Sequence, residues 1–349
     1  MSVRAAAALA AGMGIGRFVY TPILPLMTAQ AGLSTSAAAS LATANYLGYF
    51  VGALATIVRA PSRAANRVAL VLLVTTLAGM PLTHSMAAWF GLRLVAGMAS
   101  AVVFVAAVNA RPGWGMSGVG VGIALSGLVV LGFGQWQAAW WAAAGVAGLV
   151  SVAAWGLRPA APEPPAALNV PDLPRRAFGR LFAAYTLEGV GYIIAATFLV
   201  AAISGPLGTG AWVLVGLAAA LSPVLIKPRR RTLSAALAVQ AVGIALPALI
   251  PGSALPATLL FGGTFIGIAA TALNQGAELG VANAAAVLTA GQIIGPLLVT
   301  PLLANGYDQA LLLTAATVAA AALTAPARPS RHPAASRTPP RTTPAEPAG

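Results

Sequence analysis

RPAAPEPPAALNVPDLPRRAFGR, residues 158–180, is the longest polar interruption inside a chain otherwise built from apolar runs. Its prolines and mixed charges oppose a helix, so it reads as an extended linker. Six apolar segments precede it, at roughly 5–29, 36–58, 68–86, 88–110, 115–134 and 137–157. Six follow it, at roughly 181–203, 211–226, 232–250, 255–277, 282–303 and 307–325. A helix crosses a hydrocarbon core of ~30 Å in about 20 residues, so all but one of these runs span comfortably. The exception is 211–226, which at sixteen residues barely spans and calls for local thinning of the bilayer. The runs are apolar all round and lack the alternating polar positions of barrel strands, which leaves helices as the spanning form.

Charge fixes the topology. Outside the apolar runs the basic residues are Arg4, then Arg59, Arg63 and Arg67, then Arg111, then Arg158, Arg175, Arg176 and Arg180. They continue at Lys227, Arg229, Arg230 and Arg231, and end in the tail with Arg328, Arg331, Arg337 and Arg341. These groups occupy alternate gaps, and the intervening gaps hold none. Basic loops stay cytoplasmic, so both termini are expected inside and the number of spans is even. The same parity supports the short eighth span. Residues 1–16 superficially resemble a signal peptide, but the apolar run resumes after Arg17, and removing it would place every basic loop outside.

The chain of 349 residues is 59% hydrophobic and 7% charged, with a mean hydropathy of +0.86, values that exclude a soluble globular protein. A net charge of +13 is spread over the basic gaps rather than gathered on one surface, which argues against nucleic acid and for anionic lipid. There is no cysteine, hence no disulfide or thiolate chemistry. His84 and His332 are too few and too peripheral for a metal centre. Arginine outnumbers lysine 18 to 1, and alanine is abundant, a composition that suggests a GC-rich bacterial genome.

Four charges interrupt apolar runs: Arg17 in the first helix, Arg93 in the fourth, Glu188 in the seventh, and Glu278 at the inner end of the tenth. A charge at the bilayer centre costs at least ~2.5–3.5 kcal/mol, so such residues mark function or a permanent ion pair. These helices are the first of each group of three, which is meaningful if they line one polar cavity. Arg17 and Arg93 are suited to anionic or hydroxylated groups, and Glu188 to a proton or a cation. Burial opposes the Glu188 carboxylate and a nearby arginine favours it, so motion that separates them changes its protonation. Arg93 and above all Glu278, near the interface, are also consistent with a structural role. Asn45 and Tyr46 in the second helix, Tyr185 and Tyr192 in the seventh, and Asn274 and Gln275 in the tenth can hydrogen-bond a substrate or a neighbouring helix.

Glycine patterns such as Gly48-x-x-x-Gly52 and Gly118-Val-Gly120-Val-Gly122 lack the strand and acidic residue that nucleotide binding needs, and indicate close helix packing. No cofactor is expected. Gly295-Pro296, Pro22 and Pro25 are expected to kink their helices. The halves are faintly alike: Gly14-Ile-Gly16-Arg17-Phe18 parallels Gly189-Val-Gly191-Tyr192-Ile193, and Gly97-Met-Ala-Ser-Ala parallels Gly262-Gly263-Thr. Six plus six spans with such repeats match one transporter architecture.

The stretches GMGIGRFVYTPILPLM (12–27), ANYLGYFVGAL (44–54), RLVAGMASAVVFV (93–105), EGVGYIIAATFLV (188–200), WVLVGLAAALSP (212–223), LLFGGTFIGI (259–268) and GQIIGPLL (291–298) resemble the major facilitator superfamily, in its YbfB/YjiJ-type, sugar-transporter-like branch. The resemblance implies an all-α polytopic membrane protein of twelve helices in a 6+6 pseudo-repeat, with alternating access to a central site. It also implies that helices 1, 4, 7 and 10 face the cavity. The chain departs from the superfamily between helices 2 and 3, where Gly52 leads to Arg59 without the usual acid, and the loop after helix 8 looks shortened.

The expectation is a six-helix bundle at 1–157, a cytoplasmic linker at 158–180, a second bundle at 181–325 and a disordered cytoplasmic tail at 326–349. The function expected is secondary active transport of a small organic solute, either a sugar-like compound or a drug or metabolite for efflux, coupled to protons as symport or antiport. Arg17, Arg93, Glu188, Tyr192, Asn45 and Asn274 are the expected substrate- and proton-binding residues, in a monomer of the bacterial inner membrane. A non-transporting sensor or assembly protein and a partly degenerate transporter remain alternatives. A lipid-modifying enzyme would need acids or histidines clustered at a membrane face, and the six acids are scattered.

Overall fold

The structure is a computed structural model. It describes residues 2–110, 113–159, 173–202, 206–227, 229, 231–281, 283–299 and 307–327. All regular structure among them is helical. The helices are α1 (Val3–Ala31), α2 (Thr35–Val58), α3 (Arg63–Gly79), α4 (Met86–Asn109), α5 (Ser117–Gly132) and α6 (Trp136–Ala154). After the linker come α7 (Leu173–Ala202), α8 (Pro206–Leu225), α9 (Thr232–Leu249), α10 (Ala254–Glu278), α11 (Ala284–Val299) and α12 (Tyr307–Thr324). Nine of the described helices are long and apolar enough to cross a membrane.

Local chemistry sets several ends. Ser34, Ser62 and Ser85 each accept a hydrogen bond from the backbone N–H three residues on, capping α2, α3 and α4. α1 stops at Gly32, whose φ of 66° is left-handed, with Leu33 N–H returning to Met27 O at 3.3 Å.

Three helices differ from the sequence reading. α3 spans Arg63–Gly79 rather than 68–86, because Ser62 caps it and the arginines of the preceding gap fall in its first turns. α8 begins at Pro206 and runs for 20 residues, so the eighth helix needs no thinned bilayer. Proline tolerates the first turn of a helix, and Gly208 to Gly210 are absorbed into it. α7 begins at Leu173 and has 30 residues, taking the last eight residues of the expected linker. Pro174 sits in its first turn, where its missing N–H is harmless. At 1.5 Å per residue the helix is about 45 Å long, so its arginine-bearing start overshoots a ~30 Å core. The stretch 160–172 and the tail beyond 327 lie outside the described residues, and of Pro296 only the helical backbone is described.

The loops sort onto two faces. At one, Arg4 donates to Gly156 O (3.3 Å), Arg67 to Trp155 O (3.1 Å), Arg180 to Thr324 O (3.2 Å) and Asn283 to Ile57 O (3.2 Å). At the other, Gln30 binds Gly134 O and Trp136 N–H, and His84 packs edge-on against Trp136. The described arginines outside the apolar runs thus share one face, the basic face.

Helix packing repeats between the halves. α2 lies along α4, with Gly97 against the Asn45 carbonyl and Gly48 against the Leu94 carbonyl; α8 lies along α10, with Gly262 against the Val215 carbonyl. The halves meet where α5 packs on α8 and α2 on α11. At the first seam Gly120 faces the Ala220 backbone, and Trp212 Nε1–H donates to Ser126 Oγ at 3.1 Å. Gly97→Val is expected to cost about 3 kcal/mol by overpacking. Gly145→Val, where an added Cβ meets nothing within 4 Å, is expected to be neutral; thermal unfolding in detergent checks both.

Candidate functional site

The first helix is not continuous. Ala10–Ile15 is a π-helical turn, residues 16–19 form turns in which the regular α-helical ladder is interrupted, and the α-helix resumes at Tyr20. Glycines at 12, 14 and 16 weaken the first part. Pro22 has no N–H to give the Phe18 carbonyl, which Thr21 N–H takes instead at 3.2 Å. A break of this kind frees backbone carbonyls inside the bundle, and an apolar environment penalises leaving them bare.

Arg93 answers that need. Its guanidinium donates from Nη1 to Gly16 O (3.4 Å) and from Nη2 to Arg17 O (3.1 Å), while packing over Tyr20 (5.0 Å) and Trp140 (5.9 Å). Asn45 Nδ2 donates to the Arg93 carbonyl at 3.0 Å, tying α2 to α4 at the same level. Arg93 is therefore a brace for the α1 break. Arg93→Met should leave both carbonyls unpartnered and lower stability by about 3 kcal/mol, read by thermal unfolding.

Arg17, released by the same break, points elsewhere and is 2% exposed. It lies over Tyr49 at 4.1 Å, with Tyr46 at 5.3 Å, Phe18 at 5.4 Å and Tyr192 at 6.0 Å from the guanidinium carbon. None of its three nitrogens makes a well-formed hydrogen bond among the described residues, although the Tyr49 side chain lies close beside the guanidinium. Cation–π contact is the compensation it has. These rings come from α1, α2 and α7, so both halves enclose the charge. Phe18 also meets Trp212 and Phe265 edge-on, and Phe265 meets Tyr192, which closes the centre with aromatic rings.

Glu188 on α7 is 1% exposed and accepts a 2.8 Å hydrogen bond from Gln292 Nε2 of α11. Gly189 permits this approach, because the backbone at Gln292 lies against it where a Cβ would be. The buried Gln240 amide of α9 lies beside the same carboxyl without a well-formed hydrogen bond. Tyr185 and Tyr192 flank Glu188 at helical spacing and are both buried. Arg17 and Glu188 feel each other's charge, yet Arg17 makes no hydrogen bond to the carboxylate.

Of the residues singled out from sequence, Arg17, Arg93, Asn45, Glu188, Tyr185 and Tyr192 are buried near the centre, closely packed rather than lining an open cavity. On α10, Gln275 is buried and its Nε2 unpartnered, whereas Asn274 and Glu278 are on the exposed side. Tyr49, Gln240 and Gln292 are additional members. Tyr49 follows Tyr46 at i+3, and each glutamine interrupts an apolar run, which are the signals that could have exposed them.

A family profile described as "Uncharacterised MFS-type transporter YbfB" matches residues 9–326. The crystal structure of the human organic anion transporter MFSD10 (TETRAN) is similar, at 14% identity and a TM-score of 0.61, over 93% of this chain and 99% of that one. The xylose transporter XylE from E. coli, in a partially occluded inward open conformation, is similar at 14% identity and a TM-score of 0.67, over 92% and 97%. These likenesses are of fold alone. No curated protein matches the sequence. With its helical architecture and a profile match over most of its length, the chain belongs to the YbfB-type family of major facilitator superfamily transporters.

Proposed function

We propose that this protein is a proton-coupled secondary transporter of a small organic solute bearing an anionic or hydroxylated group. Arg17 supports this: a buried guanidinium, ringed by aromatic side chains from both halves, with no well-formed hydrogen bond to a protein acceptor. A solute carboxylate or hydroxyl supplies the missing acceptor, and the rings cover its apolar part. Glu188 takes up and releases the coupling proton. Gln292 and Gln240 hold its side chain through both states, since an amide can donate to a carboxylate or accept from a carboxylic acid. The bundles 1–157 and 181–325 rock about this site, exposing it to each side in turn. The protein acts as a monomer in the bacterial inner membrane, with the basic face and both termini in the cytoplasm. Nothing in this scheme requires enzymatic turnover.

Alternating access is testable at the basic face, where Asn283 of the α10–α11 loop bonds the end of α2. The chain has no cysteine, so Ile57→Cys with Asn283→Cys gives an isolated pair. Oxidation should stop solute uptake by reconstituted vesicles and reduction should restore it. Full uptake in the cross-linked state would refute the rocking scheme.

A further inference from the structure

A groove of about 610 Å³ lies along the outer side of α3 at the basic face, flanked by Trp155 at the end of α6 and lined by Arg63, Arg67, Val68, Val71 and Leu72. Its upper rim is cationic. Arg63 lies within electrostatic range of Arg67, Arg158 and Arg4. Arg67 is held in place by its Nε–H bond to Trp155 O (3.1 Å) and by stacking over the Trp155 ring (5.1 Å). Arg4 is anchored to Gly156 O. Four like charges gathered at one spot repel one another, and among the described residues no acid offsets them. The described acids are Glu188 in the core, Glu278 at the end of α10, and Asp308 at the start of α12.

Below the rim the groove turns aliphatic. Val68, Val71 and Leu72 recur at i, i+3 and i+4, so they form one stripe. They are 58%, 48% and 42% exposed. From Arg63 to Leu72 the helix descends roughly 13 Å, close to the depth of one hydrocarbon leaflet. A cationic rim above an apolar furrow of that depth has the polarity profile of an anionic phospholipid. A bare phosphate would leave the furrow uncovered, and a neutral lipid would leave the arginines uncompensated.

We infer that this α3 groove is a binding site for one anionic phospholipid. Its phosphate is held by Arg63 and Arg67, with Arg4 and Arg158 adding to the field, and an acyl chain lies along Val68, Val71 and Leu72 beside Trp155. The site is remote from the Arg17–Glu188 cluster and independent of what the protein transports.

The test is native mass spectrometry of the delipidated full chain titrated with phosphatidylglycerol, with phosphatidylcholine of the same acyl chains, and with glycerol phosphate as competitor. One phosphatidylglycerol should bind, phosphatidylcholine should bind at least about tenfold more weakly, and glycerol phosphate should not displace the lipid. Arg63→Gln with Arg67→Gln should weaken binding about thirty-fold. Val71→Trp, which fills the furrow without changing charge, should also weaken it. Arg229→Gln with Arg231→Gln, an equal charge loss at the α8–α9 loop, should not. Equal affinity for the two lipids, displacement by glycerol phosphate, unchanged binding in Val71→Trp, or an equal loss in the α8–α9 control would each overturn the proposal.

Discussion

Arg17→Met is expected to cut solute uptake about 100-fold while leaving the protein at least as stable as before. The reason lies in how weakly the protein hydrogen-bonds Arg17. None of its nitrogens makes a well-formed bond, so the substitution removes at most a loose contact with the Tyr49 hydroxyl. Cation–π contact with the surrounding rings returns about 2 kcal/mol, against several kcal/mol for taking an ion out of water. Methionine fills similar space and packs well on aromatic rings. Thermal unfolding should therefore show a melting temperature unchanged or raised by about 2 °C. Uptake should fall about 100-fold, the loss expected for two charge-assisted hydrogen bonds to solute. Arg93→Met gives the opposite pattern, because its guanidinium already serves the carbonyls of Gly16 and Arg17. If Arg17→Met melted as low as Arg93→Met, Arg17 would be a packing residue and the site would lie elsewhere.

The second large effect is expected at Glu188→Gln. The change keeps the side chain's shape and its bond with Gln292, and removes the proton. A gradient of one pH unit is worth about 1.4 kcal/mol per proton and supports tenfold accumulation of a solute moved with one proton. In the variant that ratio should drop to one, while exchange of labelled for unlabelled solute continues, because a permanently neutral carrier still crosses between states. Accumulation that persists in the variant would assign the proton to another group.

The contrast between the two arginines also marks how far the sequence could be read. Hydropathy and charge are properties of whole segments, and they place most helices to within a few residues; α3 is an exception, since its first turns carry Arg63 and Arg67, and proline misleads at two others. Pro174 and Pro206 read as linker or loop and prove to be first-turn residues of α7 and α8. The depth of Arg17, Arg93 and Glu188 was legible, because depth follows from position along an apolar run. Their division of labour was not. It depends on the break at residues 16–19, which sends one arginine onto freed carbonyls and leaves the other among rings. Rotation about a helix axis is equally hidden: adjacent Asn274 and Gln275 look alike in sequence, yet α10 buries only the second. Gln292 and Gln240 were missed because their part in the site depends on the α7–α11 and α9 packing, to which Gly189 contributes at Gln292.

Transport by this protein requires Arg17 and Glu188 to act together as one site. Vesicles containing the wild type and the double variant Arg17→Met/Glu188→Gln, matched for protein amount and folded state, should be given the same imposed proton gradient and a panel of small labelled organic acids and sugars. The wild type should accumulate at least one solute above its external concentration, and the double variant none. Equal gradient-driven accumulation by the two proteins would contradict that requirement.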